Sequence, residues 1–417
     1  MSQVARSLLV QLQRPDTSWV DVGVLRHQDN RNWFEFLPSY WDLPRRPILG
    51  QVFEEHGRLW QPTAHVALPR WFSHLLPEGR MREAVAHAAE VNKVREFELF
   101  RRLGQADLQG ALRALPADSD GISQFVPEDE SDDVFSPEDP LLKFSLAGVQ
   151  LKYSILHDQR GLTIPARGVA GNVIAKLPDG RPGFECVPEA ELASLELAAH
   201  AGLDTATGRL VKIEEIAGLE QWVPWVGDLP ILAVDRFDRS PSNNRIHMEE
   251  LAQVLNIPTR QKDSKYKYAN FETVANVAAA LVGTDVVSAV IDRLVLNILV
   301  GNGDAHLKNW AFVYSDGKNA ALSPLYDVVP TVLYIPNDDM GLKLGKTKRF
   351  EEVDLTSFDE IGRRTGFGVS EARRQAASAT ARVLDHWDVL RQHLPSRMFD
   401  RLTSRLKSLP LARVTPS

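Results

Sequence analysis

Apolar and polar positions alternate in short runs over the first third of the chain and settle into helical spacing over the last third. Leu8–Val10 and Trp33–Phe36 have the period of short strands separated by turn residues. Trp71-Phe72-Ser73-His74-Leu75-Leu76-Pro77-Glu78-Gly79 then leads into a long charged segment running to Arg102. Within that segment Phe97, Phe100 and Leu103 recur at helical spacing and read as core. Strand patterns return at Lys143–Ser154 and Asn172–Leu177, and Glu189–Ala201 reads as one helix between strands. Ile231–Phe237 is a further strand, running into the polar segment Asp235-Arg236-Phe237-Asp238-Arg239. Beyond about residue 245 the pattern is mostly helical, with an apolar helix predicted over Val286–Val300 and another over Glu371–Leu394. Pro395 should end the latter before a short last helix that closes near Leu406. No internal repeat is visible.

Between Asp118 and Asp139 the pattern is lost to Asp, Glu, Ser and Pro. A run such as Glu128-Asp129-Glu130-Ser131-Asp132-Asp133 repels itself and buries no apolar surface, so it reads as a linker or surface loop. An acidic decoy for a basic partner is the alternative. A length of 417 residues is ample for two or three domains, and nine Trp supply real cores. No apolar run reaches the roughly 18 residues that a membrane helix needs, and the first residues carry no signal-peptide core. A soluble cytoplasmic protein is expected. Cys186 is the single cysteine, which excludes an intrachain disulfide. A net charge of -7 argues against autonomous nucleic-acid binding, although a local basic patch could touch DNA beside a partner.

The chemistry concentrates in Asn302-Gly303-Asp304-Ala305-His306-Leu307-Lys308-Asn309, followed by Leu325-Tyr326-Asp327. An acid, an amide five residues on, and a second acid a hairpin's length beyond are what Mg²⁺-assisted phosphoryl transfer requires. One carboxylate sits by the attacking hydroxyl, and an amide and a carboxylate offer hard oxygens to the metal. Protein kinases use the same Asp-to-Asn interval. A polar loop after a helix, with an unrelated surface Asp, is the plainer alternative.

Other segments carry weaker signals. Ser145-Leu146-Ala147-Gly148-Val149-Gln150-Leu151-Lys152 could form a small-residue turn over phosphates or an ordinary hairpin, and it lacks the Walker spacing. Lys176 ends the apolar run Val173-Ile174-Ala175, where a lysine either snorkels to water or meets a charged partner. Glu191 is the best partner for it, with Glu189 and Glu196 competing. Asp235-Arg236-Phe237 stands where lobes would join and reads as an adenine-side hinge or as a salt-bridged strand end. His306 has no second ligand at zinc spacing and reads as a structural or phosphate-contacting residue. Lys308 could neutralise a transferred phosphoryl group or be solvated.

Taken in order, these motifs resemble those of HipA-type serine/threonine kinases, the toxin halves of bacterial toxin–antitoxin pairs. The resemblance runs nearly end to end. It includes the Phe72–Gly79 segment, Leu103-Gly104 with Gly110-Ala111, the Ser145–Lys152 loop, Ala175-Lys176-Leu177-Pro178, Val234–Arg239, Asn302–Asn309 and Leu322–Val328. It implies an α+β, two-lobed fold like that of protein and phosphoinositide kinases. An N-terminal accessory subdomain would occupy 1–115, an acidic linker or loop 116–140, a β-rich N-lobe with the phosphate loop 141–240, and a helical C-lobe 241–417. It implies Asp304 as proton acceptor and Asn309 and Asp327 as Mg²⁺ ligands. ATP would meet Ala147, Gly148, Val149, Gln150, Lys152, Lys176, Asp235, Arg236, Phe237, His306, Lys308, Asn309, Tyr326 and Asp327, with Glu191 supporting Lys176. Ser145 matches the family's autophosphorylation position, where roughly two added negative charges would expel the loop. Asp235 stands where Glu is common, and Glu250 before Gln253 where Asp is usual.

The expected activity is thus ATP- and Mg²⁺-dependent Ser/Thr protein phosphorylation by a growth-arresting toxin. Expected partners are a protein substrate, with aminoacyl-tRNA synthetases the family's best-known targets, and a small helix-turn-helix antitoxin through which any DNA contact would run. The alternatives are a non-catalytic antitoxin-binding co-repressor scaffold, which intact Asp304, Asn309, Asp327 and Lys176 disfavour, and a lipid kinase, which the acidic net charge disfavours.

Overall fold

Strand Arg6–Gln13 is buried along almost its whole length because it is central, paired antiparallel with Trp19–Gln28 on one side and Leu112–Ala117 on the other. Trp19–Gln28 returns through Asp29-Asn30, both at positive φ, into Arg31–Phe36. Two such residues let a two-residue hairpin follow the right-handed strand twist. Thr63–His65 completes this five-stranded sheet. The structure is a computed structural model and describes residues 6–105, 107–117, 151–165, 169–261 and 263–414. The acidic segment 118–139 and the small-residue loop 145–150, Ser145 included, lie outside the described residues.

A second, six-stranded sheet runs Ile216–Ala217, Gly161–Thr163, Lys152–Asp158, Val173–Lys176, Ile231–Asp235, Gly208–Val211. Helix Val187–His200 packs against it. The strand expected to reach Phe237 stops at Asp235, because Arg236 turns its guanidinium into a buried ion cluster. One apolar cluster runs through both sheets, joining Leu8, Phe34, Trp71 and Phe100 to Tyr153, Ile155, Val173 and Ile231.

The rest is helical around a second cluster. Helix Val286–Val300 has the predicted limits and is buried over most of its surface, as an all-round apolar helix must be. Gly301, at φ 77°, ends it in the left-handed conformation that glycine adopts freely. A Cβ there would lie 2.5 Å from the Val332 side chain, so the turn is fixed twice over. The helix expected over Glu371–Leu394 is α-helical as Val369–Asp385 and continues as a 3₁₀ segment, Trp387–Gln392. Pro395 precedes the last long helix, Ser396–Leu406. The result is an α+β, two-lobed kinase-like architecture with a further sheet at the N-terminus. Among the described residues no helix is long and apolar enough to cross a membrane.

Candidate active site

The two lobes enclose a cavity of about 880 Å³, lined from the sheet side by Lys152, Ile174, Lys176 and Val234 and from the helical side by Asp304, Asn309 and Asp327. Lys152 and Lys176 are direct cross-strand partners, so the pleat sends both side chains to one face. Two like charges at such a pair are unfavourable unless anions face them. Lys176 has two, Glu191 at 2.5 Å and Asp327 in contact. Glu191 comes from helix Val187–His200, while Glu196 is occupied with His393 at 2.8 Å on another face. Of the three candidate glutamates, Glu191 is the one that meets Lys176.

Lys152 is 9% exposed and has no ion pair among the described residues. Burial pushes its pKa down, Asp327 pushes it back up, and Lys176 lowers it again. A buried ammonium without its own counter-ion is a place for an anion. Burial of Asp327 would raise its pKa, but Lys176 and Lys152 outweigh this and hold it well below the carboxylate range. For Glu191 burial wins over Lys176 and the shift is upward. Lys176 is desolvated yet held cationic by Asp327 and Glu191.

The loop after Gly301 is tied down by its own amides. Asn302 Nδ2 donates to Asn297 Oδ1 at 2.7 Å, and Asn302 Oδ1 accepts from the Asp304 amide at 3.0 Å. Asn309 Nδ2 donates to the Asp304 carbonyl at 2.9 Å, leaving the Asn309 carbonyl oxygen as that group's remaining polar atom. The Asp304 carboxylate is 54% exposed, and Oδ1 accepts a hydrogen bond from the Tyr266 hydroxyl. His306 is buried, edge-on to Tyr266 at 5.1 Å, with Nε2 3.8 Å from Asp304 Oδ1. Burial pushes its pKa down to about 4, so it stays neutral near pH 7.

Lys308 is not solvated, which removes one of the two readings its position allowed. Its Nζ lies 3.0 Å from Glu78 and 3.5 Å from Glu250, and it donates to the His74 carbonyl at 3.2 Å. Burial would strip its charge, but Glu250 and Glu78 hold the pKa up. Glu78 also pairs with Lys265 at 3.3 Å. Glu250 forms a capping box with Gln253 at the start of helix Leu251–Val254.

At Asp235-Arg236-Phe237 the amides of Asp235 and Arg236 already donate to the Thr207 and Asn172 carbonyls, at 2.8 and 2.9 Å. A purine could be read here only by carbonyls or by the Phe237 amide. The Phe237 ring lies 5.2 Å from Tyr326, whose hydroxyl donates to the Lys308 carbonyl at 2.8 Å. Asp235 pairs with Arg209, at 3.5 Å near the surface. The Arg236 guanidinium is spent on Asp107 and Asp238, at 2.7 Å each. Arg239 joins the same cluster, 2.5 Å from Asp107.

Three participants escaped sequence reasoning. Glu78 lay in a quoted motif without a chemical role, and Tyr266 and Asp107 stood in no motif. A Lys-Tyr pair in a polar stretch before a helix was the only local signal for Tyr266.

The HipA-like C-terminal domain model matches residues 144–387, and the HipA N-terminal domain model matches residues 17–115. "Putative kinase Y4dM" of Sinorhizobium fredii is 33% identical over 398 residues, covering 93% of this chain and 94% of that protein. The serine/threonine-protein kinase toxin HipA of Shewanella oneidensis is 24% identical over 293 residues, covering 63% of this chain and 62% of that one. Among solved structures, HipA from the Shewanella oneidensis MR-1 complex of HipA, HipB and operator DNA superposes with a TM-score of 0.71. At 17% identity over 97% of this chain and 96% of that one, this is likeness of fold.

Proposed function

Because the chain belongs to the HipA family, we propose that it is an ATP- and Mg²⁺-dependent serine/threonine protein kinase acting as a growth-arresting toxin. The observation that carries this reading is the gathering, in one cavity, of a buried lysine with no ion pair among the described residues, a Lys176–Glu191–Asp327 triad and the Asp304–Asn309 loop. Lys152 and Lys176 suit the phosphates of a nucleotide, and Ile174, Ala206 and Val234 give the cavity an apolar wall for its base. The Asn309 carbonyl oxygen and the Asp327 carboxylate are hard donors of the type Mg²⁺ selects, and that ion typically keeps water and phosphate oxygens for its other positions. When bound, Mg²⁺ would neutralise phosphate charge.

Asp304 then receives the proton of the attacking hydroxyl, for which its exposed carboxylate is placed at the cavity rim. Glu191 keeps Lys176 extended across the sheet, and Asp327 would be the carboxylate that holds Mg²⁺ when the ion is bound. His306 and Lys308 hold the loop from beneath, Lys308 through its pairs with Glu78 and Glu250.

The substrate proposed is a protein hydroxyl in the translation apparatus, an aminoacyl-tRNA synthetase being the first to examine. The proposed partner is a small helix-turn-helix antitoxin that carries any DNA contact. Transfer to Ser145 would silence the enzyme, roughly two added negative charges in the phosphate loop repelling the phosphates of ATP. Asp304→Ala and Asp327→Ala should each abolish transfer from labelled ATP, and growth arrest on induction, with unchanged circular dichroism. Wild-type autophosphorylation in either variant would defeat the proposal. Peptide mass spectrometry of active and Asp304→Ala protein tests silencing, which requires phosphate on Ser145 in the first preparation alone.

A further inference from the structure

The Asp304 carboxylate is open to solvent on one side, yet the oxygen facing the Ser264–Tyr266 turn is already engaged. The Tyr266 hydroxyl donates to it. That turn is fixed from several directions. The Lys265 carbonyl accepts from the Leu307 amide at 3.3 Å, within the catalytic loop itself. Lys265 Nζ reaches Glu78 at 3.3 Å, and the Tyr266 ring rests edge-on against buried His306. The hydroxyl is therefore held in place by the loop that it touches. Burial and the neighbouring Asp304 raise the phenol's pKa above its usual value, so it remains a donor.

A hydroxyl donating to this carboxylate makes the same hydrogen bond that an acceptor serine or threonine must make before it gives up its proton. Whatever occupies that place in the absence of protein substrate decides what else can be phosphorylated. Water is the competitor, since it is abundant and small and Asp304 could deprotonate it equally well. We propose that Tyr266 is a positioning residue that holds the acceptor-side oxygen of Asp304 against water and yields it to the substrate hydroxyl. It would thus set the choice between protein and water as phosphoryl acceptor. This rests on the reading of Asp304 as the proton acceptor.

The reaction that Tyr266 suppresses balances without further reagents. Water oxygen bonds to the γ-phosphorus of ATP, the bond from that phosphorus to the β,γ-bridging oxygen breaks, and ADP leaves with the electron pair. The water proton passes to Asp304, and inorganic phosphate is the other product. Tyr266→Phe removes the hydroxyl and keeps the ring on His306; Tyr266→Ala removes both.

The test uses the full chain with Mg²⁺ and ATP and no added protein substrate, following release of inorganic phosphate, which self-modification does not produce. Freeing a charge-assisted hydrogen-bond site for water should raise hydrolysis about tenfold in both variants. A second readout needs no nucleotide. Carbodiimide coupling of an amine to Asp304, measured by peptide mass spectrometry, should increase in both variants over the unaltered chain. Unchanged or lower hydrolysis, or unchanged labelling, overturns the inference. Asp304→Asn separates this from the underlying reading. If it retains phosphoryl transfer, the assignment of Asp304 fails; if it is inactive while Tyr266→Phe gains no hydrolysis, only the role of Tyr266 falls. In the double variant the gained hydrolysis should vanish.

Discussion

Replacing Asp107 with Ala should destabilise the protein by an amount the structure lets one bound. Asp107 is buried and accepts from Arg236 Nη1 at 2.7 Å, Arg239 Nη2 at 2.5 Å, the Gly171 amide at 3.0 Å and the Ser154 hydroxyl. Arg245 stands 3.6 Å away. Three guanidinium groups here share two carboxylates, Asp107 and Asp238, and the imbalance registers on Arg245. Burial together with Arg239 pushes its pKa down to about 10. Deleting Asp107 leaves Arg236 and Arg239, among the described residues, with Asp238 as their shared carboxylate away from water. Removing one partner of a buried ion pair costs about 3–5 kcal/mol, because the survivor stays desolvated and unpaired. With a urea dependence of roughly 4 kcal/mol per molar, above the small-protein range because the slope grows with the surface exposed, the unfolding midpoint should fall by about 1 M. Urea titration followed by tryptophan fluorescence measures this, with Glu360→Gln as control. Glu360 pairs with Arg363 and Arg364 at the surface and its loss should leave the midpoint in place. Because Arg236 lies in the segment proposed to border the adenine, nucleotide affinity should fall along with stability. A midpoint within about 0.3 M of the unaltered protein would refute the argument that this cluster ties Asp107 to the Asp235–Arg239 segment, since so small a shift corresponds to a surface pair.

Two further perturbations have clear signs. Lys176→Ala should sharply weaken binding of Mg²⁺-ATP measured by calorimetry, since Lys176 is the cation placed between Glu191 and Asp327; equal affinity would return it to a structural role. Burial pushes the Glu249 carboxyl up to about 7, partly offset by donors from Tyr314, Trp71 and Gln51. Its folded pKa thus lies above its unfolded value, so its contribution is complete below about pH 4.5 and is lost as pH rises toward 7, by about 3 kcal/mol in all. Glu249→Gln should gain stability relative to the unaltered protein over that window, and parallel stability curves from pH 5 to 8 would contradict this.

How much of the site the sequence revealed follows from how far apart its parts lie along the chain. Asp304 and Asn309 are close neighbours on one loop, and Asp327 follows a short hairpin, so their spacing expresses their geometry directly. Lys176 was conspicuous because a charge ending an apolar strand requires a partner. The limits of Val286–Val300 were readable since an apolar run closed by glycine admits few alternatives. Glu78 reaches Lys308 across 230 residues, and Asp107 reaches Arg236 across 129. Pairings of that range exist only after the sheets have packed, and no local period encodes them. The same blindness left Lys308 looking as though it could be solvated, and hid Leu112–Ala117 as the partner of the first strand.

The apolar cluster common to the two sheets has a consequence for anyone dissecting the protein. The two matched segments, 17–115 and 144–387, suggest modules that could be cut apart at the acidic stretch between them. A fragment beginning at residue 144 would present Tyr153, Ile155 and Val173 without the side chains of the first sheet that complete their cluster. Its Lys308 would keep Glu250 but lose Glu78. A minimal version is therefore not to be had by truncation. Any smaller scaffold would need a substitute surface for the first sheet and a carboxylate supplied from it, so that the N-terminal sheet is better regarded as an organ of the catalytic apparatus than as its attachment.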